Sequence, residues 1–309
     1  MQKYTITDFK KDFPDDKACL EWLKNNRWPN DIPCWKCMEV TPHHLMEKRR
    51  SYSCQNCGNH VHPTADTIFH KSPTSLVLWF YAIYLMASTR CGISAKQVER
   101  ELGVTYKTAW RMCHLIRQRL DEGGDPLSGN VEADESYFGG KAENMHKDKR
   151  QAKIKGRGTS GKTAVFGMVE RQGNVKAKVV ADVQKGTLTQ EIVANVVPGS
   201  HISTDEFRSY SDLPEHGYSH GIVTHSMGEY VNGDDHTNTI EGFWSLVKRG
   251  IDGVYHQVSP DYLHNYLAEY GFRYNHRNDH CPMFRSFLDR VGVELDELPC
   301  PTPRKIGRV

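Results

Sequence analysis

"NVEADESYFGGK", residues 130–141, decides how the rest of the chain is read. Apolar Val131 and Ala133 alternate with acidic Glu132 and Asp134, the period of two that marks a half-buried strand, and Gly139-Gly140 ends it in a turn. An acid inside such a strand is hard to explain as a surface residue, because an ionised carboxylate is costly to bury unless something pairs with it. Alternation puts Glu132 and Asp134 on the same face, and Glu135 is a further candidate for an inward position, so the pattern alone does not choose the functional acid.

Downstream, "KTAVFGMVERQGNVKAKVVADV" (162–183) reads as a hairpin through Gln172-Gly173-Asn174 and "TLTQEIVANVV" (187–197) as a helix. "GSHISTDEFRSY" (199–210) is a short apolar strand ending at Asp205, and "HGIVTHSMGEYV" (220–231) a further strand. "HTNTIEGFWSLVKRGIDG" (236–253) is an amphipathic helix with Ile240, Phe243, Trp244 and Val247 on its apolar side and Asn238, Glu241 and Lys248 elsewhere. The order predicts an α/β domain around a mixed sheet. Taken singly, Asp205 reads as a cap for the next helix and Glu241 as a solvated helix charge. Jointly, Asp134 lies midway through the first strand, Asp205 at the tip of a later one and Glu241 on the helix, a placement that singles them out together. Gathered together they repel, by ~4 kcal/mol for one pair at 4 Å and an effective dielectric of 20. Cations must neutralise such a cluster, and hard divalent ions with oxygen ligands, Mg2+ or Mn2+, suit carboxylates. Two such ions stabilise the attacking and leaving oxygens of a phosphoryl displacement.

Upstream, "CWKC" (Cys34, Cys37) and "CQNC" (Cys54, Cys57) have the spacing of a four-thiolate structural zinc ribbon. Such a closed site leaves no open coordination position, so it is a scaffold and not a catalytic centre. The other five cysteines show no metal spacing. "GISAKQVERELGVTYKTAWRMCHLIRQRL" (92–120) predicts a helix-turn-helix. Ser94 and Thr105 are its caps, Gly103 its turn, and Tyr106, Lys107 and Arg111 point outward where a recognition helix meets DNA.

The net charge of +2 is unremarkable, but residues 141–162 hold eight Lys or Arg against one Glu and one Asp. That run predicts a basic loop, with Lys153, Lys155 and Arg157 as candidate phosphate contacts. The apolar stretch 76–88 is too short to span a membrane, and the N-terminus lacks the form of a secretory signal. The expected setting is the cytoplasm, in association with the nucleoid.

The motifs "VEADESYFGGK", "STDEFRSY", "HTNTIEGFWSLVKRGIDGVYHQVS" and "YLAEYGFRYNHR", with the cysteine pairs upstream, together resemble the DDE transposases of bacterial insertion sequences that carry an N-terminal zinc ribbon. The resemblance covers most of residues 20–285. It implies a ribonuclease H-like catalytic domain that cuts transposon ends and joins them to target DNA, with binding of the terminal inverted repeats by the ribbon and helix-turn-helix. It makes Asp134 the first catalytic aspartate, shared by two Mg2+ or Mn2+ ions, and Asp205 the second. The third residue in this group is either Glu or Asn, followed by a Lys. Glu241 is favoured by the thirty-five-residue gap after Asp205 and by Lys248 two turns on, with Asn238 the alternative. Lys248 and Arg249 are expected to hold DNA phosphate. Trp35 stands where many such ribbons have Pro. The implied partner is double-stranded DNA, and synapsis of two ends implies a homodimer or higher assembly. The implied boundaries are an N-terminal helical segment (1–27), zinc ribbon (28–72), helix-turn-helix (73–122), catalytic domain (123–285) and C-terminal tail (286–309). The alternative is a sequence-specific DNA-binding regulator whose ribonuclease H-like domain is inactive.

Overall fold

The computed structural model describes residues 3–46, 49–121, 123–140, 146–148, 159–224 and 231–292. Two compact units divide the chain, one of Tyr4–Tyr84 with Phe284–Val309 and the other of Leu85–Met283 with Met1–Lys3.

In the first unit, α1 (Ile6–Asp12) starts at a capping box between Thr5 and Asp8, and α2 (Asp16–Arg27) at the side chain of Asp15. The ribbon follows as a short antiparallel pair, β1 (Pro33–Cys34) with β2 (Glu39–Val40). A three-stranded sheet comes next, β3 (His43–Met46), β4 (Ser51–Cys54) and β5 (His60–Val61). Helix α3 (Leu76–Ser88) carries the apolar stretch. Among the described residues, no helix is long and apolar enough to cross a membrane.

The second unit takes the end of α3 from Leu85 and continues with α4 (Ala95–Leu102) and α5 (Tyr106–Arg119). The turn between them has the local chemistry that the sequence predicts. Ser94 accepts from Gln97 N, Gly103 is left-handed at φ 65°, and Thr105 accepts from Thr108 N. Val98, Leu102, Ala109, Met112 and Ile116 are buried, so the pair packs through the expected stripe.

Five strands then form a mixed sheet: β6 (Asn130–Phe138), β7 (Thr163–Glu170), β8 (Val175–Val179), β9 (His201–Asp205) and β10 (Ser219–Val223), in the order β10-β9-β6-β7-β8. The pairs β10–β9 and β9–β6 are parallel, while β6–β7 and β7–β8 are antiparallel. The strand expected over residues 220–231 is shorter, ending at Val223; residues 225–230 lie outside the described residues.

Each face of the sheet has its own core. On one, Val131, Ala133, Phe166, Met168 and Ile202 pack with Leu188 and Ile192 of α6 (Lys185–Asn195). On the other, Phe138, Val165 and Val169 pack with Ile240, Phe243, Trp244 and Val247 of α7 (Asn238–Gly250). Leu263 and Leu267 of α8 (Pro260–Asn275) join this second core. Helix α9 (Met283–Val291) follows and, from Phe284 on, belongs to the first unit. Period-2 alternation therefore turns Glu132, Asp134 and Ser136 toward the face covered by α7.

Candidate active site

Asp134 gains its surroundings from its own row of the sheet. On β7 its register partner is Gly167. On the other side β6 and β9 run parallel with Glu132 opposite Ser203, and continuing that register two residues brings Asp134 opposite Asp205. The pairing itself ends at Glu132 and Ser203, and the charge of Asp205 is felt at Asp134 just beyond it.

Gly167 explains how a helix comes down beside them. A Cβ there would stand 2.4 Å from Cζ2 of Trp244 and 3.1 Å from Cδ1 of Ile240. Only a bare backbone lets α7 seat its indole next to Asp134. With Ile240, Phe243, Trp244 and Val247 on the sheet, the flank bearing Glu241, Ser245 and Lys248 lines a cavity of 710 Å³ together with Asp134. Arg249, Asp252 and Gly253 complete it. The last two belong to a π-helical turn, Ile251–Tyr255, that continues α7, an irregularity frequent at functional sites.

The electrostatics carry the mark of crowded acids. Asp134 is half-buried, and its carboxyl is pushed up to about 6, first by loss of water and then by the charge of Asp205, with Glu241 adding and Lys248 opposing. Glu135, on the opposite side of the strand, rises to about 7 through burial and the charges of Asp134 and Asp205. It is held by the hydroxyl of Tyr210, which donates to it at 2.5 Å. Asp205 Oδ1 accepts from Phe207 N at 3.0 Å, a local turn bond that leaves its second oxygen for other work. Glu241 Oε1 accepts from the Thr237 hydroxyl at 2.9 Å.

Sequence periodicity could not separate Glu132 from Asp134; the packing does. Glu132 is fully buried, and its carboxylate accepts from Arg171 Nε (2.9 Å), the Thr239 hydroxyl (2.8 Å), Thr239 N (2.8 Å) and Ile240 N (3.1 Å). It thus caps the N-terminus of α7 from a neighbouring strand, satisfying amides the helix cannot satisfy itself. Arg171 also donates to the carbonyls of Asp234 and His236, pinning the segment that leads into α7. Nothing in the sequence signals this clamp, since its members are 39 and 107 residues apart.

Asn238 opens α7 but lines a different cavity from Asp134, Glu241 and Lys248. Asp205 is not among the residues lining the acid cavity. Among the described residues, the four cysteines form the group of three or more His, Cys, Asp or Glu whose ligand atoms lie within 4.8 Å of one another; the three acids are not gathered so tightly. Their all-oxygen donor set and the strained ionisation of Asp134 nonetheless suit a hard divalent cation.

In the ribbon, Cys34 Sγ stands 3.6 Å from Cys57 Sγ and Cys37 Sγ 3.9 Å from Cys54 Sγ. A zinc tetrahedron with Zn–S of about 2.3 Å has sulfur–sulfur edges of roughly 3.8 Å. The Thr41 hydroxyl lies 3.2 Å from Cys54 Sγ and is the main cause that lowers that thiol, while the crowding of the neighbouring sulfurs pushes Cys37 up. This is the geometry of a structural zinc site.

Of the expected DNA contacts, Tyr106, Lys107 and Arg111 are exposed on α5, with Lys96 Nζ 4.8 Å over the Tyr106 ring. Lys248 and Arg249 are exposed on α7. Lys153, Lys155 and Arg157 lie outside the described residues. Sequence reasoning missed the link between α5 and α8. There Arg117 Nε donates to Glu269 at 2.6 Å, both side chains being buried, and Arg273 donates to the same carboxylate at 2.6 Å.

Residues 14–60 match the transposase zinc-ribbon domain and residues 126–275 the ISXO2-like transposase domain. An uncharacterized protein of transposable element ISH50 from Halobacterium salinarum is 30% identical over 273 residues, 85% of this chain and 92% of that protein. An uncharacterized transposase-like protein of Haemophilus influenzae is 33% identical over 97 residues, 31% of this chain and 77% of its own length. The chain is also similar to one in the cryoEM structure of a simian T-cell lymphotropic virus intasome with PP2A regulatory subunit B56 gamma. That match has a TM-score of 0.31 and 14% identity over 75% of this chain and 78% of the other, too loose to bear on the fold. The chain belongs to the insertion-sequence transposases that join a zinc ribbon to an ISXO2-like transposase domain.

Proposed function

We propose that this transposase cuts and rejoins double-stranded DNA at one centre formed by Asp134, Asp205 and Glu241 in a ribonuclease H-like domain spanning 123–285. The observation that carries the reading is the row across the sheet. The β6–β9 register, Glu132 opposite Ser203, points Asp134 toward Asp205 when continued, and Glu241 and Lys248 line a cavity with Asp134 from α7. Asp134 feels the charge of both other acids, and it would be the carboxylate shared by two Mg2+ or Mn2+ ions held there. Bound there, the ions supply the charge that stabilises attacking and leaving oxygens in phosphoryl transfer. Asp205 and Glu241 would complete the set of carboxylates that holds such ions, each supplying oxygen ligands from its own element.

The other residues handle DNA. Lys248, two turns beyond Glu241 on the same flank, holds a phosphate at the cleft, and Arg249 follows it around the helix. Helices α4 and α5 act as a helix-turn-helix within 73–122, with Tyr106, Lys107 and Arg111 meeting the terminal repeats, which the ribbon of 28–72 also binds. The basic loop of 141–162, with Lys153, Lys155 and Arg157, adds phosphate contacts. Two ends are handled by a homodimer or higher assembly at the nucleoid.

The test is incubation of the full chain with duplex DNA bearing the element's own ends and Mg2+, scored for nicked and joined products. Asp134→Ala, Asp205→Ala and Glu241→Ala are expected to abolish both products, while Asn238→Ala retains them. Sequence-specific binding with no metal-dependent cleavage in the parent protein would make it a DNA-binding regulator instead. Loss of products in Asn238→Ala with retention in Glu241→Ala would reassign the third ligand.

A further inference from the structure

The flank of α7 turned away from the acids lines a second cavity, of 570 Å³, within the usual range of small-molecule sites (about 300–1,000 Å³). Four arginines line it, Arg90, Arg249, Arg273 and Arg277, and no acid does. Arg273 is committed to Glu269 and to the carbonyl of Thr89, so three guanidinium groups set the charge of the space. Its apolar wall comes from Phe243 and Leu246 of α7 and Met283, while Arg277 lies 3.8 Å over the Tyr274 ring. Bonds to the carbonyls of Gly173 and Tyr274 hold Arg277 there. Phe243 is itself buried, so the flat surface on offer to a base is the Arg277 guanidinium backed by Tyr274, while Arg90 and Arg249 supply charge for phosphate; together they are the complement of one nucleotide.

Arg249 decides which nucleotide. It lines this cavity and the acid cavity alike, so the two spaces adjoin around one edge of α7. We infer that the arginine-lined cavity holds a single unpaired nucleotide of the DNA strand, next to the phosphate lying over Asp134. The inference rests on the proposed DNA chemistry at Asp134 and adds to it a site that takes one base out of its stack. A duplex cannot enter so small a space, and an enzyme that needs an exposed phosphate gains by parking the neighbouring base.

Gly242 makes the site testable. It lines the cavity on an exposed turn of α7, and a Cβ added there meets nothing within 4 Å. Gly242→Leu therefore adds apolar bulk at the lining from a Cβ that meets nothing, and replacing a helical glycine favours the fold. The probes are a fluorescein-labelled twelve-nucleotide thymidylate and an abasic strand of equal length and charge, titrated by anisotropy against the full chain without Mg2+. The parent protein is expected to prefer thymidylate by on the order of tenfold, the scale of one stacked base. Gly242→Leu should bring that ratio close to one while leaving abasic affinity unchanged. Arg90→Glu, a change at an exposed side chain, should weaken both strands. Free dTMP should displace the strand only at far higher concentration. Asp134→Asn should keep the preference, so a failed cleavage centre and a failed nucleotide site are read separately. A parent ratio near one, an unaltered ratio in a folded Gly242→Leu, unaltered affinities in Arg90→Glu, or dTMP competing as well as the strand would each overturn the assignment.

Discussion

Asp134→Asn should make the metal-free protein more stable, although it removes a residue proposed to act in catalysis. The folded-state carboxyl sits at about 6 against an ordinary 3.8, because water is withdrawn from it and Asp205 and Glu241 face it. The difference, 6 − 3.8, is about two units, and at ~1.4 kcal/mol per unit the ionised aspartate costs the fold up to about 3 kcal/mol. The sign follows from proton uptake. A carboxyl raised on folding binds more protons in the native state, so stability falls as pH rises from about 4 to about 6 and the loss is complete above that. Glu135, raised to about 7, acts in the same direction and extends the wild-type decline upward. Comparing the variant with wild type therefore isolates Asp134. Urea denaturation in EDTA, followed by circular dichroism at pH 4 and pH 8, should show the variant gaining at pH 8 and matching wild type at pH 4. Saturating Mg2+ should reverse the order, because it stabilises only the chain that can bind it. If Asp134→Asn is no more stable than wild type at pH 8 without metal, the crowding of acids at this site is refuted.

Glu132→Ala should cost about 3–5 kcal/mol in the same denaturation assay, because it strands the Arg171 guanidinium and the first amides of α7; a loss below about 1 kcal/mol would remove the clamp from the account. Gly167→Val should destabilise by about 1–3 kcal/mol through overpacking against Trp244 and lift α7 from Asp134, eliminating cleavage even where the protein stays folded. Zinc chelation, or Cys54→Ser, should unfold the ribbon and release one equivalent of metal, measured by a chromogenic chelator. Amide exchange in the sheet of residues 130–223 should stay protected, since the ribbon belongs to the other compact unit.

Local chemistry is legible in the order of residues alone. The cysteine pairs, the caps at Ser94 and Thr105 and the left-handed Gly103 each depend on residues a few positions apart, and they appear as the sequence predicts. The strand through Asp134 and the amphipathic helix through Glu241 are legible for the same reason, their periods being written in adjacent residues. Long-range choices are not. Which same-face acid of β6 becomes a buried anchor and which stays in the cleft depends on Arg171 and the N-terminus of α7, and no spacing rule connects them. The rotation of α7 puts Glu241 in the cavity with Asp134 and Asn238 in its neighbour. That rotation follows from how Trp244 seats on Gly167, a contact between distant segments. The sequence by itself determined the kinds of elements and the acids they carry, because backbone propensity and side-chain period act locally. Only the tertiary structure decided which of those acids confront one another, because that depends on how layers pack, and packing is a property of residues the chain keeps far apart.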